Sequence, residues 1–196
     1  MQFVVYCSGS IQKGASDTRK LCWTDRERSA VAAGASPAVI QFLNPDDPAA
    51  DLSDTAALFG RDMYQIKTAD AVIVDARERR GIGIGIEMLA SRIFGSLLVA
   101  VVPNDTYYRM GNVSYRGSTV ADYVHPHIAI LADAIVETFE DAGAWVRDRK
   151  NARTKPKGID AVHEAIAAYR DRMLPRDEPM LEILRHLENA DRGRHA

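Results

Sequence analysis

The sequence lacks the features that mark several classes of protein. Its two cysteines, Cys7 and Cys22, are too few for a disulfide framework and do not form a C-x-x-C pair. Lys and Arg total 25 against 27 Asp and Glu, so the formal net charge of -2 provides no basic field for nucleic acid or anionic membranes. A chain of 196 residues buries enough surface to form a hydrophobic core without disulfide bonds or structural metal ions. We therefore expect a soluble globular protein whose partners are small molecules.

Long apolar runs are also absent. The longest, at 3–7 and 97–102, fall far short of the ~20 residues that cross a bilayer. The N-terminus has no basic segment ahead of an apolar core and a small-residue cleavage site, so we expect no secretory signal. His125 and His127 could bind a metal, but no third ligand follows at a suitable spacing. We expect a cytoplasmic protein with no membrane span, no metal and no other cofactor.

Short apolar runs alternate with segments that are compatible with helices. The runs predict strands at 3–7, 38–43, 71–74 and 97–102. Helices are predicted at 17–33, 55–68 and 86–95, the second of them capped by Ser53 or Asp54. Continuous apolar strands are buried on both faces, and their alternation with helices indicates a parallel sheet covered by helices. The fold class is therefore α/β.

The second half of the sequence predicts a long functional loop and a C-terminal extension. Residues 103–125 are longer than most connections inside a compact domain and are rich in Tyr, Asn and Ser. A helix is predicted at 126–142 and a short last strand at 144–146, which ends an α/β domain at 1–146. The basic run 147–157 predicts a solvated linker, followed by helices near 159–173 and 179–190. We expect a C-terminal helical extension over 147–196.

One candidate catalytic carboxylate follows a glycine-rich segment at 81–87. Glycines in a predicted turn allow the backbone to approach a ligand, and the next helix places Glu87 where the strand ends of an α/β sheet bind ligands. The G-x-G-x-x-G spacing fails, because Ile86 and Met88 stand where glycines are needed. The alternative is an ordinary acid that the helix dipole stabilises near the start of a helix.

A second candidate carboxylate interrupts the apolar face of the predicted helix at 55–68. Asp62 lies four residues after Leu58 and four before Ile66, so the three share one stripe. A buried unpaired carboxyl has a raised pKa, which suits a general acid. The alternative is a charge pair with Arg61 or Lys67. Two carboxyls near one cleft, one ionised and one protonated, are the arrangement that cleaves glycosidic bonds.

Three segments, 6–14, 61–70 and 81–87, together resemble the nucleoside 2-deoxyribosyltransferase family. The family includes a hydrolytic branch, the (deoxy)nucleoside 5'-monophosphate N-glycosidases. The resemblance implies a flavodoxin-like protomer that forms dimers or larger homo-oligomers, with active sites completed by a neighbour. It also implies that Glu87 attacks the anomeric carbon, that Asp62 assists the leaving base or orients the sugar, and that Tyr6 positions Glu87.

The resemblance also implies a set of substrate-binding residues, with departures from the family pattern. Ser10 matches a serine that holds the 5'-phosphate, but Gln12 stands in place of an arginine, and Gly81 in place of a serine or of a base-reading acid. Lys13 and Arg80 are the residues that could compensate. The candidates for substrate binding are Gly9, Ser10, Lys13, Asp75, Gly81, Gly83, Asn112 and Ser114.

The function expected from these residues is cleavage of the base-sugar bond of a nucleoside or its 5'-monophosphate. The loop at 76–80 is charged and expected to be solvated, so that water reaches the intermediate, although Asp75 could still contact a base. Hydrolysis is therefore favoured over transfer to a second base. The alternatives are a nucleoside 2-deoxyribosyltransferase and a module that senses nucleotides without cleaving them. The sequence leaves open the base, the sugar and the need for a 5'-phosphate.

Overall fold

The computed structural model describes residues 2–11, 23–46, 53–78 and 81–194. The chain divides into two compact units, Met1–Ile159 and Asp160–Ala196, so the division falls later than the expected boundary at 146. The strands are β1 Gln2–Ser8, β2 Val39–Leu43, β3 Ala71–Asp75, β4 Leu97–Val101, β5 Arg109–Tyr115, β6 Ser118–Val124 and β7 Ala134–Val136. The helices are α1 Asp25–Ala35, α2 Thr55–Thr68, α3 Ile82–Phe94, α4 Pro126–Leu131, α5 Phe139–Asn151, α6 Asp160–Arg172 and α7 Glu178–Arg194. None of the described helices is long and apolar enough to cross a membrane.

The first unit is built on a parallel five-stranded sheet in the order β2-β1-β3-β4-β7. This is the order of flavodoxin-like folds, so the predicted α/β class is confirmed. Successive residues of β1 point to opposite faces: Phe3, Val5 and Cys7 join one core, whereas Tyr6 joins the core that contains Ile66 of α2 and Met88 of α3. The alternation along β1 therefore decides which side chains reach α3.

On the opposite face, α1 and α5 pack so closely that glycine is needed at their crossing. A Cβ atom on Gly34 would lie 1.9 Å from the carbonyl oxygen of Glu140, and one on Gly143 would lie 2.0 Å from that of Val31. Cys7 is fully buried beneath these helices, and burial raises the pKa of its thiol to about 12. Cys7 is therefore a packing residue of β1.

Several expected elements match the structure closely. The helix predicted at 55–68 is α2, and Asp54 rather than Ser53 caps it, because an Asp54 carboxylate oxygen accepts a hydrogen bond of 2.9 Å from the Ala57 amide. The helix predicted at 17–33 is observed as α1 from Asp25, and residues 17–22 lie outside the described part of the chain.

The prediction for residues 126–146 was wrong in its elements. The expected long helix is the short α4, then β7, then the start of α5, because Ala134 to Val136 pair with β4 and complete the sheet. The expected strand at 144–146 belongs to α5, where Ala142 and Val146 face the core one turn apart. The stretch 103–125, expected as a loop, contains the antiparallel hairpin β5–β6.

The basic segment after 146 is not a solvated linker, since α5 continues to Asn151 and the chain beyond it is held against the sheet. Lys150 Nζ lies 2.6 Å from a carboxylate oxygen of Asp70. Lys157 donates its amide to Asp133 at 2.7 Å, and its Nζ lies 2.7 Å from the carbonyl oxygen of Ala132. These charges serve packing of the first unit.

Candidate active site

The candidate site lies at the carboxyl edge of the sheet, where β1 ends beside the first turns of α3. Glu87 is only 8% exposed there. Its Oε1 accepts a hydrogen bond of 3.0 Å from the Tyr6 hydroxyl, and its Oε2 accepts one from the Ser8 hydroxyl. Tyr6 and Ser8 are alternate residues of β1, so both side chains point to the face that α3 covers. The structure thus brings together Glu87 and Tyr6 as predicted, and adds Ser8.

The electrostatic environment of Glu87 balances two opposing effects. Burial raises the pKa of the Glu87 carboxyl most strongly, and the charge of Asp62 raises it further. The hydrogen bonds from Ser8 and Tyr6 lower it, because both hydroxyls stabilise the ionised form. Burial, followed by the charge of Glu87, raises the pKa of Tyr6 as well, so this phenol stays protonated and keeps donating. The result is a carboxylate that is poorly solvated and held in one orientation.

Asp62 occupies the predicted position beside this pair. It is half-buried on α2, which packs against α3, and desolvation raises the pKa of its carboxyl despite the opposing charge of Arg61. The Arg61 guanidinium donates hydrogen bonds to the carbonyl oxygens of Pro45 and Asn44, at 3.3 and 3.5 Å. Asp62 therefore has the raised pKa expected of a general acid, close enough to Glu87 for their charges to interact.

A buried ion network fixes the end of β3 next to the site. Asp75 is fully buried, and Arg77 donates to its two carboxylate oxygens at 2.9 Å each. Arg77 also donates to Glu27 at 3.1 Å and stacks its guanidinium over the ring of Phe139. The start of the 76–80 loop is therefore not solvated as expected, because Ala76 is buried and Arg77 is anchored. A contact between Asp75 and a base stays a prediction.

Trp23 holds the backbone that follows Tyr6. Its indole Nε1 donates a hydrogen bond of 3.0 Å to the carbonyl oxygen of Ser8. A Cβ atom on Gly9 would lie 3.0 Å from Trp23 Cδ1, so the indole and the Gly9 backbone are in close contact. Sequence reasoning missed Ser8 and Trp23. The period of two along β1 could have identified Ser8, because it shares the face of Tyr6.

The glycine segment is mostly helical rather than a turn, which corrects the expectation for 81–85. Only Gly81 lies outside α3, as its N-cap, and Gly83 and Gly85 belong to the first turns of the helix. Gly83 precedes Glu87 by one helical turn, and a Cβ atom on it would lie 3.8 Å from Glu87 Oε1. Glycine at this position leaves the space beside the carboxylate open.

The remaining candidate residues are more dispersed. Ser10 follows β1 at the same edge of the sheet, and Lys13 lies outside the described residues. Asn112 and Ser114 are exposed on β5, where Ser114 Oγ lies 3.0 Å from Thr119 Oγ1 within the hairpin. No hydrogen bond in the described part of the chain joins either residue to Glu87.

His125 and His127, the two histidines considered as metal ligands, pack against each other. The ring centroids of His125 and His127 are 5.0 Å apart in an edge-to-face arrangement. Burial and the charge of His127 lower the pKa of His125. Among the described residues, no three His, Cys, Asp or Glu side chains form a group that could hold a metal ion.

Comparisons with known proteins support the fold. No family model matches the chain, and no curated protein matches it either. A solved structure, described as a 2-desoxiribosyltransferase from Leishmania mexicana, matches with a TM-score of 0.51 and 18% identity, over 74% of this chain and 97% of that one. The chain has the fold of that enzyme. The flavodoxin-like fold that the resemblance implied is thereby confirmed.

Proposed function

We propose that this protein is an N-glycosidase that cleaves the base-sugar bond of a nucleoside or a (deoxy)nucleoside 5'-monophosphate, with Glu87 as the nucleophile. The observation that carries the proposal is a buried carboxylate held by two hydroxyl donors, with the half-buried acid Asp62 beside it. A carboxylate with little solvation and a fixed direction is suited to attack, because neither solvent nor rotation has to be removed in the transition state.

The environment of Glu87 is poorly suited to a purely structural role. Two other buried acids near this edge, Asp75 and Glu27, share the Arg77 guanidinium as a counter-ion. Glu87 has no such cation within the described residues: its hydrogen-bond partners are the hydroxyls of Tyr6 and Ser8. Burying a carboxylate without a counter-ion destabilises a fold by several kcal/mol. A cationic substrate or transition state would compensate this charge, and an oxocarbenium-like sugar is one.

The first half-reaction exchanges one bond for another at the anomeric carbon. A Glu87 carboxylate oxygen forms a bond to that carbon while the carbon-nitrogen bond to the base breaks, and the bonding pair leaves with the base. Asp62 gives its proton to the departing base, a role that the upward shift of its pKa favours. The products are the free base and a glycosyl ester of Glu87, with Asp62 ionised.

The second half-reaction regenerates the site. A water molecule gives a proton to Asp62 and attacks the anomeric carbon, and the ester oxygen leaves as the Glu87 carboxylate. Tyr6 and Ser8 stabilise that carboxylate as it reappears, because their hydrogen bonds favour the charged form. Two observations support hydrolysis rather than transfer. Residue 81 is a glycine, so it provides no acidic side chain to bind a second base, and both carboxylate oxygens of Asp75 already accept hydrogen bonds from Arg77.

Binding of a 5'-phosphate has several possible contributors at this edge. Gly81 caps α3 without a side-chain hydrogen bond, and the first amides of a helix are donors that suit a phosphate. Gly9, Ser10 and Lys13 are further candidates, and they follow β1 in the sequence. Deoxyribosyl transfer remains the second candidate function, and the observation in its favour is the likeness to a structure described as a 2-desoxiribosyltransferase.

The proposal is tested by incubating the protein with ribo- and deoxynucleosides, with and without a 5'-phosphate, and detecting free base by chromatography. We expect release from at least one substrate, and at least a ~10³-fold loss in Glu87→Ala, because covalent catalysis is lost. Glu164→Ala, which removes an exposed acid of α6, is the matched control and should keep full activity. An excess of a different labelled base distinguishes the functions: labelled nucleotide in place of free sugar indicates a transferase. No product from any substrate would favour the binding module.

We further propose that the protein is a homo-oligomer, a dimer or larger, in which Asn112 and Ser114 of one copy reach the site of another. The support is their exposure on a hairpin with no hydrogen bond to Glu87 in the described part of the chain. Mixing Glu87→Ala with an inactive Asn112→Ala/Ser114→Ala protein should restore part of the activity through hybrid sites. Hybrids that form and stay inactive would refute sharing through this hairpin.

A further inference from the structure

A small basic cavity lies at the amino edge of the parallel sheet, opposite the edge that carries Glu87. It is enclosed by Asp70, which directly precedes β3, by Gly95 at the end of α3, and by the last turn of α5 with the chain that follows it. Its volume is about 240 Å³. Gly95 lies more than two helical turns beyond Glu87, so about 12 Å of helix separates this cavity from the candidate active site.

The lining of this cavity is predominantly basic. Three cations of the basic run after 146 and one hydroxyl contribute to it: Arg149, Lys150, Arg153 and Thr154. Asp70 is the acid of the lining, and both its carboxylate oxygens already have partners. Its Oδ1 lies 2.6 Å from Lys150 Nζ, and its Oδ2 accepts a hydrogen bond of 2.9 Å from the Val4 amide. The charge of Asp70 is therefore balanced by Lys150.

Arg149 and Arg153 are the lining cations that packing leaves without an acid. In the described part of the chain no ion pair engages either guanidinium, and that of Arg149 lies over the ring of Trp145, 5.1 Å from its centroid. The neighbouring acid, Asp148, pairs instead with Arg147 at 2.8 Å. Two guanidinium groups without an acid partner make the local potential positive. The cavity therefore favours an anion.

The backbone at Arg153 shows that its side chain is not there to cap α5. The amides of Arg153 and Thr154 donate to the carbonyl oxygens of Lys150 and Arg149, at 3.1 and 3.0 Å, so the backbone itself caps the last turn. The φ angle of Arg153 is 50°, in the left-handed region that glycine usually occupies in such a cap. Arginine is less favourable than glycine there, and an anion in the cavity gives its side chain a use.

We propose that this cavity is a binding site for a small anion with one or two phosphate groups. Guanidinium groups match phosphate oxygens in pairs, and Lys150 and the Thr154 hydroxyl add further donors. The cavity is smaller than the roughly 300–1,000 Å³ of pockets that hold drug-sized ligands, so it fits phosphate or pyrophosphate better than a whole nucleotide. A nucleic acid is disfavoured, because the formal net charge of the chain is -2.

Isothermal titration calorimetry of the full chain with pyrophosphate, and separately with inorganic phosphate, tests the site at an ionic strength of about 0.15 M. We expect one saturable site per chain for pyrophosphate. Its Kd should rise at least about tenfold in Arg149→Gln and in Arg153→Gln, because each variant loses charged donors to the anion. Lys155→Gln is the matched control: it removes an exposed cation outside the lining and should keep the wild-type Kd.

Arg153→Gly separates binding from a structural role. Glycine adopts a φ angle of 50° without strain, so the melting temperature of this variant should rise. Pyrophosphate should raise the melting temperature of the wild-type protein by mass action but not that of Arg153→Gly. The proposal is overturned by an absence of saturable binding, by a wild-type Kd in both glutamine variants, or by single-stranded RNA that binds more tightly than pyrophosphate. Binding is measured without turnover, so the result is independent of the proposed function.

Discussion

Removing the Ser8 hydroxyl tests whether the environment of Glu87 is tuned for catalysis. Ser8→Ala deletes one of the two hydrogen bonds that stabilise the ionised carboxylate, while the bond from Tyr6 remains. A hydrogen bond to a charged group contributes about 1.5–3 kcal/mol, and one pKa unit corresponds to about 1.4 kcal/mol. The pKa of Glu87, already raised by burial, should therefore rise by about 1–2 further units.

The sign of the effect on activity follows from the role of Glu87 as a nucleophile. Only the ionised carboxylate attacks, so kcat/KM falls as the pH drops below the pKa of Glu87 in the free enzyme. In Ser8→Ala this acid limb should move to higher pH by about 1–2 units, because the ionised carboxylate has lost one of its two donors. The assay is base release measured across the pH range for both proteins.

Ser91→Ala is the matched control for this experiment. Ser91 is a fully buried serine of α3, whose hydroxyl donates to the carbonyl oxygen of Met88 and accepts from Arg92 Nε at 3.3 Å rather than bonding to Glu87. The control should lose a similar amount of stability and keep the acid limb of the wild-type protein. An acid limb that stays in place in Ser8→Ala, or that moves equally in both variants, would refute the assignment of Ser8.

The remaining predictions concern the surroundings of the site. Gly83→Ala should stabilise α3 by about 0.5–1 kcal/mol yet lower kcat/KM at least about tenfold, because the new methyl group lies beside Glu87 Oε1. Gly85→Ala, whose Cβ meets nothing within 4 Å, should stabilise without that loss. Arg77→Met should destabilise by about 3 kcal/mol in urea unfolding, since it removes the guanidinium that pairs with the buried Asp75 carboxylate, and Asp75→Asn in the same chain should recover part of it. Glu87→Gln should raise the free energy of unfolding by about 1 kcal/mol at pH 7, and by less at lower pH. The reason is that the pKa of Glu87 is higher in the folded than in the unfolded protein. The wild-type protein therefore has its full stability below the ordinary glutamate pKa and loses stability as the pH rises through the pKa of folded Glu87. Equal melting temperatures of the wild-type and Glu87→Gln proteins, from the ordinary glutamate pKa up to pH 7, would contradict the argument that burial raises the pKa of Glu87.

The parts of the fold that were predictable from sequence are those set by local pattern. The limits of α2 follow from a polar cap and a 3.6-residue period, and β3 from a short apolar run. The pairing of β7 with β4 was not predictable, because three residues form a strand only when the sheet edge is there to receive them.

The candidate site divides in the same way. Glu87, Asp62 and Tyr6 were identified from position and resemblance, and the structure places them together. The hydrogen bond between Arg77 and Glu27 joins residues 50 positions apart, and that between Trp23 and Ser8 joins residues 15 positions apart, so neither is visible as a local sequence pattern.

The central claim is that Glu87 becomes covalently attached to the sugar, and mass spectrometry of a trapped intermediate tests it most directly. A 2'-fluoro analogue of the best substrate destabilises the oxocarbenium-like transition states, so the glycosyl-enzyme should persist long enough to be digested and sequenced. We predict a mass gain equal to the fluorinated sugar, with its phosphate if present, on the peptide that contains Glu87, and no gain in Glu87→Gln. Release of base without any adduct, or the same adduct in Glu87→Gln, would contradict the mechanism.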